Sequence, residues 1–444
     1  MVLTQAERIT AEIFRKAVLQ SNTRRKEDAA RKLDFYNDEQ ADHLLTQIAG
    51  NYKSPERIAP VSVNLVRKIV RALSTVYLQD AVRTLDGSQQ EQEIYSLIED
   101  SASLPVKMKL ANRYARLLGS ILIRPVWRNG QMDLDILTPD ILDVFCGDSP
   151  EDVQAVMVTL FSDTGLQTEI EYSLWTPEQV QRLDYRFSVI SSEPNPYGIL
   201  PFVPVFACPP TTEFWLPGAN DLMLVQDAIN ERLTDIWHTL RFQSFGVAYI
   251  KEGDKGKHKH SRPSSTVDIG PNSLLLLPPD GEVGFAAPKA PIQDSLNAIE
   301  FLMKQTAITN GLSAASMSLN PTEQSGISRI VANTELEELR RDDIAMFAKV
   351  EQRLFHIIRT IWNIHNPQRP MREATPLRVD FFDPKPSVSA TEQIKEWQGL
   401  LELGLISPVD VLIERNPDLN REDAKAKLLT IRDELKEFQF ANWA

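Results

Sequence analysis

Along residues 219–366 the apolar positions fall into a helical period, leave it, and return to it twice. Leu222, Val225, Ile229, Leu233, Ile236 and Leu240 recur at steps of three and four, which lays one apolar stripe on a helix over about 221–245. Asn220 or Asp221 can cap its first turn, and Pro217-Gly218 ends what precedes it. Ile292, Leu296, Ile299 and Met303 predict a second helix, from Pro291 to a stop at Gly311. A third starts behind Ser325 and runs towards Asn366, where Pro367 and Pro370 forbid continuation. At about 1.5 Å per residue it would reach roughly 55–60 Å.

The flanking pattern predicts a mixed α+β fold. Residues 2–34 read as one amphipathic helix with Ile9, Ile13, Phe14, Ala17 and Val18 on its apolar side, and Ala41–Ile48 as another. Val61–Leu78 reads as helical, with Val63, Val66, Val70 and Leu73 inward and Arg67, Lys68 and Arg71 outward. From Leu118 the period becomes two. Ser120–Trp127 and Met132–Leu137 flank Asn129-Gly130, a hairpin signal, and strands follow over 153–161, 169–174, 181–190 and 203–207. The insert 246–290 holds candidate strands at 246–250 and 273–277 around a basic loop. After Pro367 come a strand over 377–382 and helices over 389–403, 408–414 and 421–438. The pattern shows no internal repeat.

Charge narrows the function. The 444 residues carry 48 basic against 61 acidic groups, a net of −13, which disfavours a protein that grips phosphate tightly. Two cysteines, Cys146 and Cys208, are too few for a disulfide framework and suggest a reducing compartment. Met1–Arg15 is charged throughout, so no signal peptide is expected, and no apolar run is long enough for a membrane span. No phosphate loop, dinucleotide-binding glycine motif, nucleophile elbow or zinc-protease motif occurs. His258 and His260 sit among lysines that repel a cation. Glu335, Glu337, Glu338, Asp342 and Asp343 alternate with Arg340 and Arg341 and read as a charge network within one helix. No metal, cofactor or catalytic residue is expected.

Several short phrases occur in a telling order. They are Leu33-Asp-Phe-Tyr-Asn37 before Asn64-Leu-Val-Arg-Lys-Ile-Val70; Gly119–Trp127 with Leu137-Thr-Pro-Asp140; Tyr197-Gly-Ile-Leu-Pro-Phe-Val-Pro204; Ser325-Gly-Ile-Ser328; and Leu403-Gly-Leu-Ile-Ser407 before Asn416-Pro-Asp418 and Glu422. Together they resemble the portal proteins of tailed double-stranded DNA bacteriophages, with Ser328 where alanine is more usual. The resemblance implies a ring, typically of twelve copies, at one capsid vertex of the virion, assembled in the host cytoplasm. It assigns residues 1–218 to an α+β wing, 219–245 and 291–311 to stem helices, and 246–290 to a small α/β clip. Residues 312–326 become a tunnel loop, 327–382 a long wing helix with a return strand, and 383–444 a helical crown. Implied partners are further copies of the chain, terminase, a head-tail adaptor, major capsid or scaffolding protein, and double-stranded DNA passing without sequence readout; no membrane is implied.

With that frame, residue chemistry supplies candidate sites. Leu312, Ser313, Ser316, Ser318, Asn320, Thr322 and Gln324 give the tunnel loop small, mostly hydroxyl or amide side chains. Arg232, His238 and Arg241 are candidates for lining the channel, and Lys251, Lys255, Lys257 and Lys259 for docking a partner at the clip. The long helix has more apolar width than one subunit needs, so Phe347, Val350 and Leu354 are expected at subunit interfaces. The rival readings are a non-viral helical adaptor, which would run as a small species in solution, and an enzyme, for which no convergent polar set can be named.

Overall fold

Leu19 interrupts the single helix expected over residues 2–34: its extended backbone (φ −68°, ψ 139°) divides a helical turn at residues 12–15 from α1 (Gln20–Asn37). The reason is tertiary, since Ile13 packs against Met157, Leu174 and Leu183 while Phe35 and Tyr36 enter a separate core. The computed structural model describes residues 12–15, 19–51, 59–163, 168–245, 247–251, 282–286, 291–317, 334–382, 390–416 and 419–441. They form a mixed α+β fold in two units, residues 1–322 with 333–382 and residues 323–332 with 383–444.

In the first unit α2 (Ala41–Asn51) precedes α3 (Leu65–Leu73), which occupies only the middle of the expected 61–78 helix. Asn64 caps it, its side chain accepting from Arg67 N–H at 2.8 Å. Ser74 ends it, its hydroxyl donating to Val70 O at 2.7 Å. Val66, Val70 and Leu73 point inward as expected; Val63, ahead of the cap, is exposed. There follow β1 (Val82–Leu85), α4 (Gln89–Ser101) and α5 (Leu104–Leu118).

The strand region then holds β2 (Ser120–Arg128), β3 (Gln131–Leu137), β4 (Leu142–Cys146), β5 (Val153–Asp163), β6 (Thr168–Trp175), β7 (Gln179–Leu183), β8 (Val189–Pro194) and β9 (Val203–Phe206). Asn129 and Gly130 take positive φ (53° and 79°), the geometry a two-residue hairpin turn requires. β3-β2-β9 form one antiparallel sheet and β4 to β8 a second, in sequence order. The period of two is visible in β5: Val156 and Val158 face Phe202, Phe206 and Phe214, while Ala155 and Met157 face Ile13, Leu174 and Leu183. The strand expected over 181–190 is two strands, because the Asp184 carboxylate accepts from the N–H groups of Arg186 and Ser188 at 2.8 Å and closes a turn.

Next, α6 (Asn220–Phe245) leads into β10 (Val247–Lys251), which pairs antiparallel with β11 (Glu282–Ala286); the strand expected at 273–277 lies outside the described residues. α7 (Ile292–Thr309) returns alongside α6, with Asn310 Nδ2 within 3.4 Å of Asp221 Oδ2 at the base. α8 (Thr334–His365) has 32 described residues, and β12 (Leu377–Asp380) pairs with β1. α8 is the axis of the main core: Phe347, Val350, Leu354, Ile358 and Ile361 are buried with Ile69, Val70, Met108 and Ile121. The charge network expected along this helix is tertiary instead. Arg340 is buried and donates to Thr75 O and Phe382 O, while Arg116 of α5 donates to Asp343 at 2.5 Å.

The second unit contains α9 (Ala390–Glu402), α10 (Pro408–Arg415) and α11 (Arg421–Ala441). Ser407 and Asp410 form a capping box at the start of α10, and Arg421 meets Asp410 at 3.1 Å. Among its described residues Ala424 alone is buried.

Candidate channel-forming stem

Two glycines fix how the helical hairpin leaves the sheet. Gly119 (φ 86°) and Gly218 (φ 59°) lie where the chain crosses itself: a Cβ on Gly119 would sit 2.2 Å from Leu216 O, and one on Gly218 2.4 Å from Leu117 O. Only a residue without a side chain permits that approach. Ala219 N–H then donates to Leu117 O at 2.9 Å, and the Lys32 ammonium to Pro217 O at 2.5 Å, so α6 starts from a backbone held on both sides.

α6 carries a second stripe beside its apolar one. Gln226, Asn230 and Thr234, spaced by four, are all buried and hydrogen-bond the non-helical residues 61–64 and the first N–H groups of α3. Gln226 accepts from Leu65 N–H (2.7 Å) and Val66 N–H (3.2 Å) and donates to Val63 O (2.7 Å). Asn230 accepts from Val63 N–H at 3.2 Å and donates to Gln40 at 2.9 Å; Thr234 accepts from Val61 N–H at 3.0 Å. This ladder satisfies the backbone that α3 leaves unpaired and is why residues 61–64 are not helical. The spacing was legible in the sequence; its partners were not. Arg31 adds an ion pair from α1 to Asp227 at 2.5 Å.

The candidate channel residues do not share one surface. Arg232 is exposed and lies 3.6 Å from Asp235; His238 is half-buried; Arg241 is exposed. Nine residues separate the two arginines, which at about 100° each places them on opposite faces of α6, so one bore-facing stripe cannot hold both. Leu240, expected inward, is exposed near the far end of α6, beside Trp237.

The start of the expected tunnel loop is an anchored turn. Gly311 (φ 70°) ends α7, Leu312 N–H donates to Ala307 O at 2.9 Å, and Leu312 is buried. Ser313 O accepts from the Ser316 hydroxyl at 2.6 Å within a 3-10 turn, Ala314–Met317, whose Met317 is buried. Leu312 therefore packs in the core and is not a DNA contact. Ser318, Asn320, Thr322 and Gln324 lie outside the described residues, as do Lys255, Lys257 and Lys259; Lys251 ends β10, its backbone paired with Glu282.

The three residues expected between subunits are corrected by burial. Phe347 is 2% exposed, and Val350 and Leu354 are also buried, all within the chain's own core, so they have no surface to offer a neighbour. The apolar width of α8 is taken up within the chain by β2, β9 and β12, with Tyr95 of α4 set edge-on against Phe355. Its central charge is likewise internal. Glu351 accepts from Arg83 Nη2 and Nε at 2.7 and 3.0 Å and from the Tyr77 hydroxyl at 2.7 Å. Burial would lower the Arg83 guanidinium, but its bonds to Glu351 and that carboxylate's charge raise it instead; burial, reinforced by Glu351, pushes Tyr77 well up. No group of three metal-ligating side chains occurs among the described residues, and none of their helices is long and apolar enough to cross a membrane.

Residues 16–439 match the family described as phage portal protein, SPP1 Gp6-like. The chain belongs to this family. It is accordingly a phage portal subunit, a structural component and not an enzyme. No curated protein matches it. Among solved structures it is similar to a chain in the virion of a native gene transfer agent particle (12% identity, TM-score 0.45, covering 78% of this chain and 86% of that one). It is also similar to a chain in the neck of the empty particle with C6 symmetry (11%, 0.47, 84% and 92%) and to one in the neck of the native particle with C12 symmetry (13%, 0.42, 78% and 86%).

Proposed function

We propose that the chain forms a ring of about twelve copies at one capsid vertex, the channel through which double-stranded DNA is packaged and ejected, as expected for the resemblance. Residues 1–218 serve as the wing, α6 and α7 as the stem, 246–290 as the clip, 312–326 as the tunnel loop, 327–382 as the long wing helix with its return strand, and 383–444 as the crown. The observation that carries this reading is the pairing of α6 with α7, closed at its tip by the β10–β11 ribbon, in a chain whose family match spans residues 16–439. An acidic subunit suits a passage that must let a phosphate backbone slide, because like charge repels where a basic lining would hold. The bore contacts come from residues 318–326 and from one of the two arginine faces of α6, with the turn at 312–317 as their anchor. Terminase and a head-tail connector dock at the clip, where Lys251, Lys255, Lys257 and Lys259 stand out from an acidic chain.

Negatively stained class averages of the purified protein test this directly. Round views with a central hole and about twelve lobes are expected. A monodisperse small species under every assembly condition would overturn the ring.

A further inference from the structure

The five-stranded sheet has two unlike edges. At the β4 edge the Arg25 guanidinium donates to Pro139 O and Leu142 O, both at 2.7 Å, and stacks 3.9 Å over the Trp215 ring. That cation closes the edge. At the other edge β8 pairs with β7 and with no further strand among the described residues. Proteins guard such edges with lysines, inward charges, prolines or a covering element, because unpaired N–H and C=O groups template another strand. β8 has a register shift at its start and Pro194 at its end, but between them it carries no lysine or arginine. Val189 and Ile190 are 56% and 55% exposed.

The ladder identifies the open groups. Asn195 N–H donates to Glu178 O at 2.9 Å, so antiparallel alternation turns Glu193 and Ser191 towards β7 and turns the N–H and C=O of Ser192 outward. Pro194 falls at an outward position too, where it costs the ladder no donor. Glu178 and Glu193, both exposed, flank this end with no basic partner described, whereas Arg182 is engaged by Glu171 at 2.5 Å.

We propose that β8 is a strand-addition site for an extended segment of another protein, apolar at alternate positions and bearing Lys or Arg where it passes Glu178 and Glu193. The same sheet of a second copy does not supply the strand that adds. Its β4 edge is closed by Arg25, and β8-to-β8 pairing requires a two-fold axis, which closes at a dimer. The inference is independent of ring formation.

The test adds a labelled peptide of alternating valine and lysine to the full-length assembled protein, read by fluorescence anisotropy and amide hydrogen exchange. Saturable binding with new protection at 189–194 is expected. Ser192→Pro, which removes an outward donor and spares the backbone bonds to β7 while losing the exposed 3.3 Å bond from the Ser192 hydroxyl to Gln179, should weaken binding about tenfold with melting temperature and particle size nearly unchanged. Glu178→Gln with Glu193→Gln should weaken it several-fold and flatten its salt dependence. Undiminished binding of the same peptide carrying N-methyl groups at alternate residues would overturn the proposal, as would binding without protection at 189–194. Should Ser192→Pro misfold, the N-methylated peptide on the parent protein decides. Particles that fail to form rings yet bind the peptide would count against the portal reading alone.

Discussion

Glu91 ties three parts of the first unit to one carboxylate. It accepts from the N–H and hydroxyl of Ser88 (2.9 and 2.8 Å), from Arg372 N–H and Nη2 (2.9 and 2.7 Å) and from the Thr375 hydroxyl (2.8 Å). The Arg372 hydrogen bonds, outweighing burial, hold its carboxyl far below the ordinary value of 4.5. A depressed folded-state value means stabilisation that is whole above 4.5 and drains as pH falls below it. Glu91→Gln should therefore melt below the parent at pH 7, with the gap narrowing as pH drops below about 4.5; a melting series in pH checks this. Phe347 makes a second residue-level case. Truncation to Ala should cost about 3–5 kcal/mol of subunit stability in denaturant titrations, and Phe347→Asp should yield misfolded chain and no soluble monomer, since the site is core.

Among elements, α6 depends on a polar ladder as much as on its apolar stripe. Asn230→Leu preserves bulk but leaves the Val63 N–H and the Gln40 amide without their partner. Each unsatisfied buried group costs about 1–3 kcal/mol, so this variant should unfold at lower denaturant than one carrying Arg232→Leu on the exposed face. The turn after α7 divides the tunnel loop in two. Deleting Ser316–Asn320 removes buried Met317 and should lower thermal stability. Deleting 318–322 alone should leave melting nearly unchanged while packaged DNA length or retention falls, as measured on filled particles. Full packaging by that variant would make the loop a plain connection. Both the hairpin at Asn129-Gly130 and the three C-terminal helices were legible, because local turn chemistry and caps determine them. The breaks at Leu19 and 61–64 were not, because a core or a side chain elsewhere in the chain sets each one, whereas the break at 184–188 is local, made by the Asp184 carboxylate.

At the scale of the whole molecule, the stem carries a large exposed apolar side chain on its first helix. Trp237 lies four residues after Leu233 and so continues the apolar stripe of α6, yet it is 59% exposed. Burying such side chains stabilises by roughly 1.5–3 kcal/mol each, repeated at every contact of a ring. Trp237→Glu should leave the far-ultraviolet spectrum of the subunit intact and shift mass from ring to small species in light scattering. The sequence by itself determined the α+β class, the helical hairpin and its order among the other elements, since these follow from short-range periodicity and from phrases read in order. Only the tertiary structure decided which apolar positions are buried. Periodicity marks a face that avoids water without saying what covers it: the stripe on α8 is buried within the chain's own core, while Trp237 on the stripe of α6 is exposed.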